Sequence, residues 1–311
     1  MEQNITTGPV PKSTFAPTVS PRQRVRRQNL EALLFLSPWI IGFLVFTAGP
    51  LIASVVLSFM SWDVITPAKW VGLANYKHLF HDPLMYTSLG NTLYYAVFSI
   101  PLHLVVALAL ALLLNQKVRA MGFFRTIFYL PSLTAGVATF LLWGNMFEPQ
   151  AGLLNRFLRL FISNPPGWLI DPAWSKIALV IMSTWAVGAT MLIFLAGLQG
   201  IPTHLYEAAS IDGAKPWAQF LNVTIPMLSP TILFNTVILT IGSLQVFTQA
   251  FVLTHGGPSN STLFYVYYLF NRAFVYFNMG YASAMAWLLF AIVLVLTLIQ
   301  MKMSKRWVHY G

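Results

Sequence analysis

A chain of 311 residues with 8% charged and 57% hydrophobic side chains is far more apolar than a water-soluble domain, in which about a quarter of residues are charged. Its net charge of +10 lies beside long apolar runs, not in a basic stripe with interleaved aromatics, so nucleic-acid binding is not expected. There are no cysteines, which excludes disulfides, thiol catalysis and Cys-based metal sites.

Residues 1–29 are polar and rich in Pro, Ser and Thr, and they end in Pro21-Arg22-Gln23-Arg24-Val25-Arg26-Arg27. That composition predicts a disordered cytoplasmic tail with a basic anchor. The apolar run that follows is much longer than the roughly 7–15-residue core of a signal peptide, so no cleaved leader is expected. Six apolar segments follow, at about 31–60, 90–115, 124–147, 177–199, 228–254 and 280–302. At about 1.5 Å rise per residue, each can cross roughly 30 Å of hydrocarbon. The expected fold class is an all-α integral membrane protein with six transmembrane helices over 30–305 and a short tail at 306–311. Pro38, Gly42, Pro50, Pro101, Pro131 and Gly136 fall inside the first three segments. Membrane helices tolerate such residues because neighbouring helices satisfy the freed carbonyls.

Orientation is read from Lys and Arg. With the N-terminus in the cytoplasm, Lys12, Arg22, Arg24, Arg26, Arg27, Lys117, Arg119, Arg125, Lys215, Lys302, Lys305 and Arg306 fall inside. Lys69, Lys77, Arg156, Arg159, Lys176 and Arg272 fall outside. Twelve against six is a positive-inside bias, which predicts cytoplasmic N- and C-termini and a cytoplasmic loop at 200–227. The expected external loops, 61–89 and 148–176, carry Trp62, Trp70 and Trp168, whose rings suit the membrane interface.

The loop at 200–227 is polar and Gly-broken between two apolar segments. Pro202 or Thr203 can open a short helix through Ile211, and Asp212-Gly213 can end it with a left-handed residue. Lys215-Pro216 can open a second short helix that Ile225-Pro226 stops. The prediction is a helical hairpin lying against the membrane. Ala208 and Ala209 give it a small-residue face that another protein can approach, and Glu207 offers a carboxylate to a basic residue of such a partner. The other reading is an ordinary loop with a solvated Glu.

The residues Glu207-Ala208-Ala209, Asp212-Gly213-Ala214 and Ile225-Pro226 resemble the signature loop of the permease subunits of ATP-binding-cassette importers. Trp70-Val71-Gly72-Leu73-Ala74-Asn75-Tyr76, Asn91-Thr92-Leu93, Phe123 to Pro131 and Thr254-His255-Gly256-Gly257-Pro258 extend the likeness to the carbohydrate branch, over about residues 30–305. Within it, the Gly-Gly-Pro turn is similar to the first permease of maltose- and glycerol-phosphate-type systems. Ile225-Pro226 departs conservatively from the commoner Leu-Pro. The resemblance implies the type I importer permease fold in a bacterial or archaeal inner membrane. It implies a second, homologous permease, two cytoplasmic ATPase subunits, an extracytoplasmic solute-binding protein and a sugar substrate, with membrane lipid around the spans. The coupling residues would be Glu207, Ala208, Ala209, Asp212, Gly213, Ile225 and Pro226. ATP would be hydrolysed on the partner chains; this chain carries no Gly-x-x-x-x-Gly-Lys-Ser/Thr loop, so it is not expected to be an enzyme or to hold a cofactor.

Polar side chains inside spans tend to face the bundle interior. Ser243, Gln245, Thr248 and Gln249 lie in the fifth segment, with Gln245 and Gln249 on one face of a continuous helix. Ser183, Thr184, Trp185 and Thr190 lie in the fourth. Amides, hydroxyls and an aromatic ring suit a sugar, which makes Thr184, Trp185, Ser243, Gln245 and Gln249 the substrate-path candidates. They equally suit hydrogen bonding between helices, at about 0.6 kcal/mol per bond. His103, inside the second segment, is expected neutral and bonded to a neighbouring carbonyl. The six His show no paired ligand spacing such as i, i+4 on one helix, so no metal site is expected, and Ser, His and Asp do not form a hydrolytic triad. The alternative function is a stand-alone secondary transporter of a small neutral solute, marked by an internal repeat and mid-membrane charges. A membrane enzyme would need catalytic polar residues gathered at one depth.

Overall fold

The computed structural model of the chain describes residues 21–116, 119–134 and 136–308. The chain divides into two units at Ser54–Val55. The first helix, α1, covers Pro21–Phe43, so residues 21–29 are helical where the sequence predicts tail; residues 1–20 and 309–311 of the expected tails lie outside the described residues. A Pro at the first helical position costs nothing, because that N–H has no intrahelical partner.

Two helices, α1 and α2 (Gly49–Ser58), are joined by a wide turn at Leu44–Ala48. A two-residue antiparallel pair follows, β1 (Met60–Ser61) with β2 (Lys69–Trp70), in the register Met60↔Trp70. Then come α3 (Ala74–Leu79), α4 (Pro83–Leu114), α5 (Met121–Leu133), α6 (Gly136–Met146) and α7 (Leu153–Leu158). The fourth apolar segment forms α8 (Pro172–Ser183) and α9 (Gly188–Gln199), with a tight turn at Thr184–Ala186 between them. Next are α10 (Thr203–Ile211), α11 (Pro216–Gln219), α12 (Ile225–Met227) and α13 (Ser229–Leu244). The chain closes with α14 (Tyr265–Phe270) and α15 (Met279–Ser304).

Among the described residues, three stretches are long and apolar enough to cross a membrane unbroken: Gln28–Ser58, Pro83–Leu114 and Met279–Ser304. Three bent pairs supply the rest. They are Met121–Leu133 with Gly136–Met146, Pro172–Ala186 with Gly188–Gln199 at 51°, and Pro216–Met227 with Ser229–Leu244 at 64°. With each pair counted as one span, the total is six.

Local chemistry explains where these elements start. Asp82 caps α4 by accepting the Leu84 N–H at 3.0 Å, with Pro83 at the first position, so the second span starts at Pro83 rather than near 90. Asp171-Pro172 repeats the device at α8, accepting the Ala173 N–H at 2.9 Å. Pro50 and Pro226 share another device. Each follows a wide turn in which the preceding residue donates five residues back, Gly49 to Leu44 and Ile225 to Phe220. A proline ring clashes with the carbonyl four residues earlier, and a wide turn relieves that clash. Ile225-Pro226 therefore does not stop the second hairpin helix, as the sequence reading has it; the bend comes one turn later, at Leu228.

Loop motifs fasten the bundle at one end. Asn75 donates to the Ser58 and Met60 carbonyls, both at 2.9 Å. Asn91 donates to the Asn260 and Leu263 carbonyls at 2.8 and 3.1 Å, and Lys176 donates to its Oδ1 at 3.1 Å. Thr92 accepts the Tyr265 N–H at 2.9 Å. Asn155, almost wholly buried, donates to Pro149 and Pro166 and accepts from Trp168 Nε1.

Burial falls in two apolar cores. One holds Leu79, Met85, Tyr95, Leu179, Met182, Tyr265 and Met285; the other holds Ala107, Ala111, Leu114, Val187, Phe194, Leu198 and Leu228. On α4 the first ends at Tyr95 and the second begins at Ala107; on the fourth span the first ends at Met182 and the second begins at Val187. The seam between the cores coincides with the break in that span.

Candidate functional site

The loop at 200–227 folds as two helices around a tight turn. Gly213 ends α10 at φ 78°, the left-handed region that glycine enters without penalty. The Gly213 N–H donates to Ser210 O at 3.0 Å and the Ala214 N–H to Ala209 O at 2.9 Å, a paired closure that satisfies the last carbonyls of α10. Gln219 Nε2 ties the second helix to the first, donating to Ser210 Oγ at 2.9 Å and Ala214 O at 3.1 Å. The inner face of the hairpin rests on the second core: Leu205, Tyr206, Val223 and Met227 pack against it, and the Tyr206 hydroxyl meets Thr224 Oγ1 at 3.0 Å.

The other face is bare. Glu207, Ala208, Asp212 and Gly213 are exposed, Ile211 is 86% exposed and Trp217 69% exposed. Among the described residues Glu207 has no hydrogen-bond or ion-pair partner. Ala209, Ile225 and Pro226 are half-buried beneath this surface. The seven sequence-predicted coupling residues therefore fall on one hairpin, with Glu207, Ala208, Asp212 and Gly213 outward and the other three inward.

A cavity of about 370 Å³ occupies the seam between the two cores. Tyr95, Ser99 and His103 of α4 line it, with Thr139, Ser183, Trp185, Ser243 and Gln249 and a set of apolar side chains. Among the described residues, no Asp, Glu, Lys or Arg lines it. Trp185 stands edge-on to Trp143, with ring centroids 5.8 Å apart. The sequence candidates divide here. Trp185, Ser243 and Gln249 converge on the cavity. Thr184 is not in its wall and its hydroxyl bonds back to Ile181 O at 2.7 Å. Gln245 is exposed at the end of α13, because the helix stops at Leu244 and the continuous face shared with Gln249 does not exist. Tyr95, Ser99, Thr139 and Ser183 are additions. For Tyr95 and Ser99 the sequence signal was a polar stripe at helical spacing along α4, Ser88, Thr92, Tyr95, Ser99 and His103, buried throughout; Ser183 stood among the polar residues of the fourth segment, and Thr139 lies on α6.

At the loop end of the bundle, Asp82 is 5% exposed and accepts from Tyr268 at 2.5 Å and Tyr281 at 2.7 Å, with Arg272 at 3.5 Å. Burial alone would push the Asp82 carboxyl up. The hydrogen bonds from Tyr268, Tyr281 and the Leu84 N–H, with the Arg272 charge, outweigh it and hold the group below the usual carboxylate range. Burial and the Asp82 hydrogen bond push the Tyr268 hydroxyl up to about 12. The cluster joins the start of the second span to the segment before the sixth and to the first turn of the sixth itself.

Broken spans closing on an uncharged, largely apolar cavity with a few hydroxyl, amide and indole groups, and a solvent-facing helical hairpin at one end, are the architecture of a membrane permease. The chain belongs to the family of binding-protein-dependent transport system inner membrane components, whose profile matches residues 86–309. It is similar to the probable ABC transporter permease protein YesP of Bacillus subtilis (strain 168), 45% identical over 291 residues that cover 92% of this chain and 94% of that one. It is also similar to the lactose transport system permease protein LacF of Rhizobium radiobacter, 37% identical, covering 91% and 97%. Among solved structures, a chain of a bacterial ABC transporter involved in the import of the acidic polysaccharide alginate matches with a TM-score of 0.78 and 25% identity, covering 92% of this chain and 98% of that one. A chain of a bacterial alginate ABC transporter in complex with an alginate pentasaccharide-bound periplasmic protein also matches in fold, with a TM-score of 0.78 and 24% identity. The fold is thus that of an ABC importer permease, and the chain is a multi-pass inner-membrane permease subunit.

Proposed function

We propose that this chain is one of two homologous permease subunits of an ATP-driven sugar importer. A solute-binding protein delivers the sugar outside, and two ATPase subunits dock on the cytoplasmic hairpin. Both termini are cytoplasmic on this reading, in keeping with the Lys and Arg distribution. The observation that carries it is the bare outer face at Glu207–Gly213, on a hairpin whose inner face packs into the core next to the cavity. Movement of the hairpin is transmitted through that core to the cavity wall. A sugar as cargo is supported by the uncharged hydroxyl, amide and indole groups of the wall and by the lactose system named for one relative. Trp185, Ser243 and Gln249 carry the proposed path.

Copurification tests the partnership. An ATPase encoded beside this chain should come down with a tagged permease, and Glu207→Lys should lose most of it while membrane insertion is unchanged. A Glu207→Lys permease that retains the ATPase and full uptake would reduce the hairpin to a passive loop.

A further inference from the structure

We propose that His103 is a positioning residue, a clasp across the break in the fourth span, an inference that rests on the permease reading of the cavity. Its imidazole comes from α4 and touches both halves of the broken span. Nδ1 lies 3.2 Å from the carbonyl of Ser183, the last residue of α8, and Nε2 lies 3.1 Å from the hydroxyl of Thr190, in the first turn of α9. A carbonyl only accepts, so Nδ1 carries a proton and donates to Ser183 O, while Nε2 shares the second bond with the Thr190 hydroxyl. Both ring nitrogens are engaged by protein.

Thr190 departs from its neighbours. The hydroxyls of Ser183 and Thr184 bond back to their own helix, at Val180 O and Ile181 O, whereas that of Thr190 is turned across to the ring. His103 and Thr190 are each 8% exposed, so water does not readily replace either bond. The opposite side of the break is also held closely. A Cβ on Gly188 would stand 2.6 Å from Phe128 O and 2.8 Å from Tyr129 Cα, which fixes α5 against the start of α9. The 51° bend is therefore gripped by packing on one side and by a single rigid ring on the other. Trp185, inside the break, takes its place in the cavity wall from that angle. A hinge between packed segments switches between discrete arrangements, and the two bonds of His103 weight one of them.

The chain has no cysteine, so spin labels at Ala173 and Gln199, exposed at the two ends of the bent span, report its length in the full complex. Thr190→Val keeps the shape and removes the donor; His103→Phe keeps a ring and removes both bonds; His103→Gln keeps a donor and an acceptor. Thr190→Val and His103→Phe should shift or broaden the Ala173–Gln199 distance distribution. Both should lower maximal uptake about tenfold, and Thr190→Val, whose position is not in the cavity wall, should do so while the half-saturating concentration moves by less than about twofold. His103→Gln should restore both. An unchanged distance distribution in Thr190→Val would overturn the clasp, and so would lost uptake at an unchanged distance, which would make His103 ordinary packing. Should His103→Phe fail to assemble, Thr190→Val decides alone. A shifted distance in a complex that lacks ATP-driven uptake would support the clasp and count against the transport reading.

Discussion

Gly213→Val separates backbone conformation from packing at the hairpin. A Cβ at Gly213 meets nothing within 4 Å, so the substitution creates no clash. Its whole cost is conformational: at φ 78° an L-residue is disfavoured by roughly 1–2 kcal/mol, and a β-branched one sits at the upper end. The paired closure at Ser210 and Ala209 depends on that angle, and losing it tilts α10 against α11. A shift of about 1–2 kcal/mol changes the ratio of native to displaced hairpin by a factor of about 5–30. Uptake of labelled sugar by intact cells, normalised to permease in the membrane, should fall by up to a factor in that range. Gly213→Asn, which tolerates the left-handed region, should fall much less. Equal uptake in wild type and both variants would refute the view that turn geometry transmits coupling.

Gln249→Leu should raise the sugar concentration for half-maximal uptake about fivefold or more, because a lost hydrogen-bond partner in a sugar site costs over about 1 kcal/mol; Gln245→Leu, outside the cavity, should leave that value unchanged. Cysteine at Ser163 should react with an impermeant thiol reagent in sealed cells and cysteine at Ser210 should not; the reverse pattern would invert the topology. Asp82 is held below its ordinary pKa, so its stabilising contribution is complete above about pH 4 and is lost as pH falls through the lowered folded value. The melting temperature of the purified permease should thus be insensitive to Asp82 between about pH 5 and 7. Asp82→Asn should lower stability at pH 7 by about 2–4 kcal/mol and flatten the decline in acid.

The hairpin was legible because its signals are local. Pro, Gly and Asp-Gly at fixed offsets set helix ends whatever the rest of the chain does, and Gly213 takes the left-handed angle its place in the turn requires. Span composition was legible for the same reason, and span ends were less so. Asp82-Pro83 and Asp171-Pro172 are helix starts readable as cap and first position, yet hydropathy alone placed both starts too late. The cavity was half legible. Trp185, Ser243 and Gln249 were found by polarity, while Gln245 was carried along by treating the fifth span as one helix. The stop at Leu244 has no proline to announce it. Tyr95 and Ser99 were missed although their spacing with Ser88, Thr92 and His103 traces one buried face. The Asp82 cluster was not readable in advance, since its partners Tyr268, Arg272 and Tyr281 are brought to it only by the tertiary fold.

Reconstitution tests the central claim most directly. The permease is placed in liposomes with its homologous partner and the ATPase subunits, with ATP enclosed on the ATPase side and the sugar-loaded binding protein on the other. Sugar accumulation is then followed with and without ATP, with and without the binding protein, and with an imposed proton or sodium gradient. The account predicts accumulation that needs both ATP and the binding protein, is indifferent to the ion gradient, and is lost in Glu207→Lys. Accumulation by the permease alone, driven by the gradient without ATP, would contradict it and make the chain a secondary transporter.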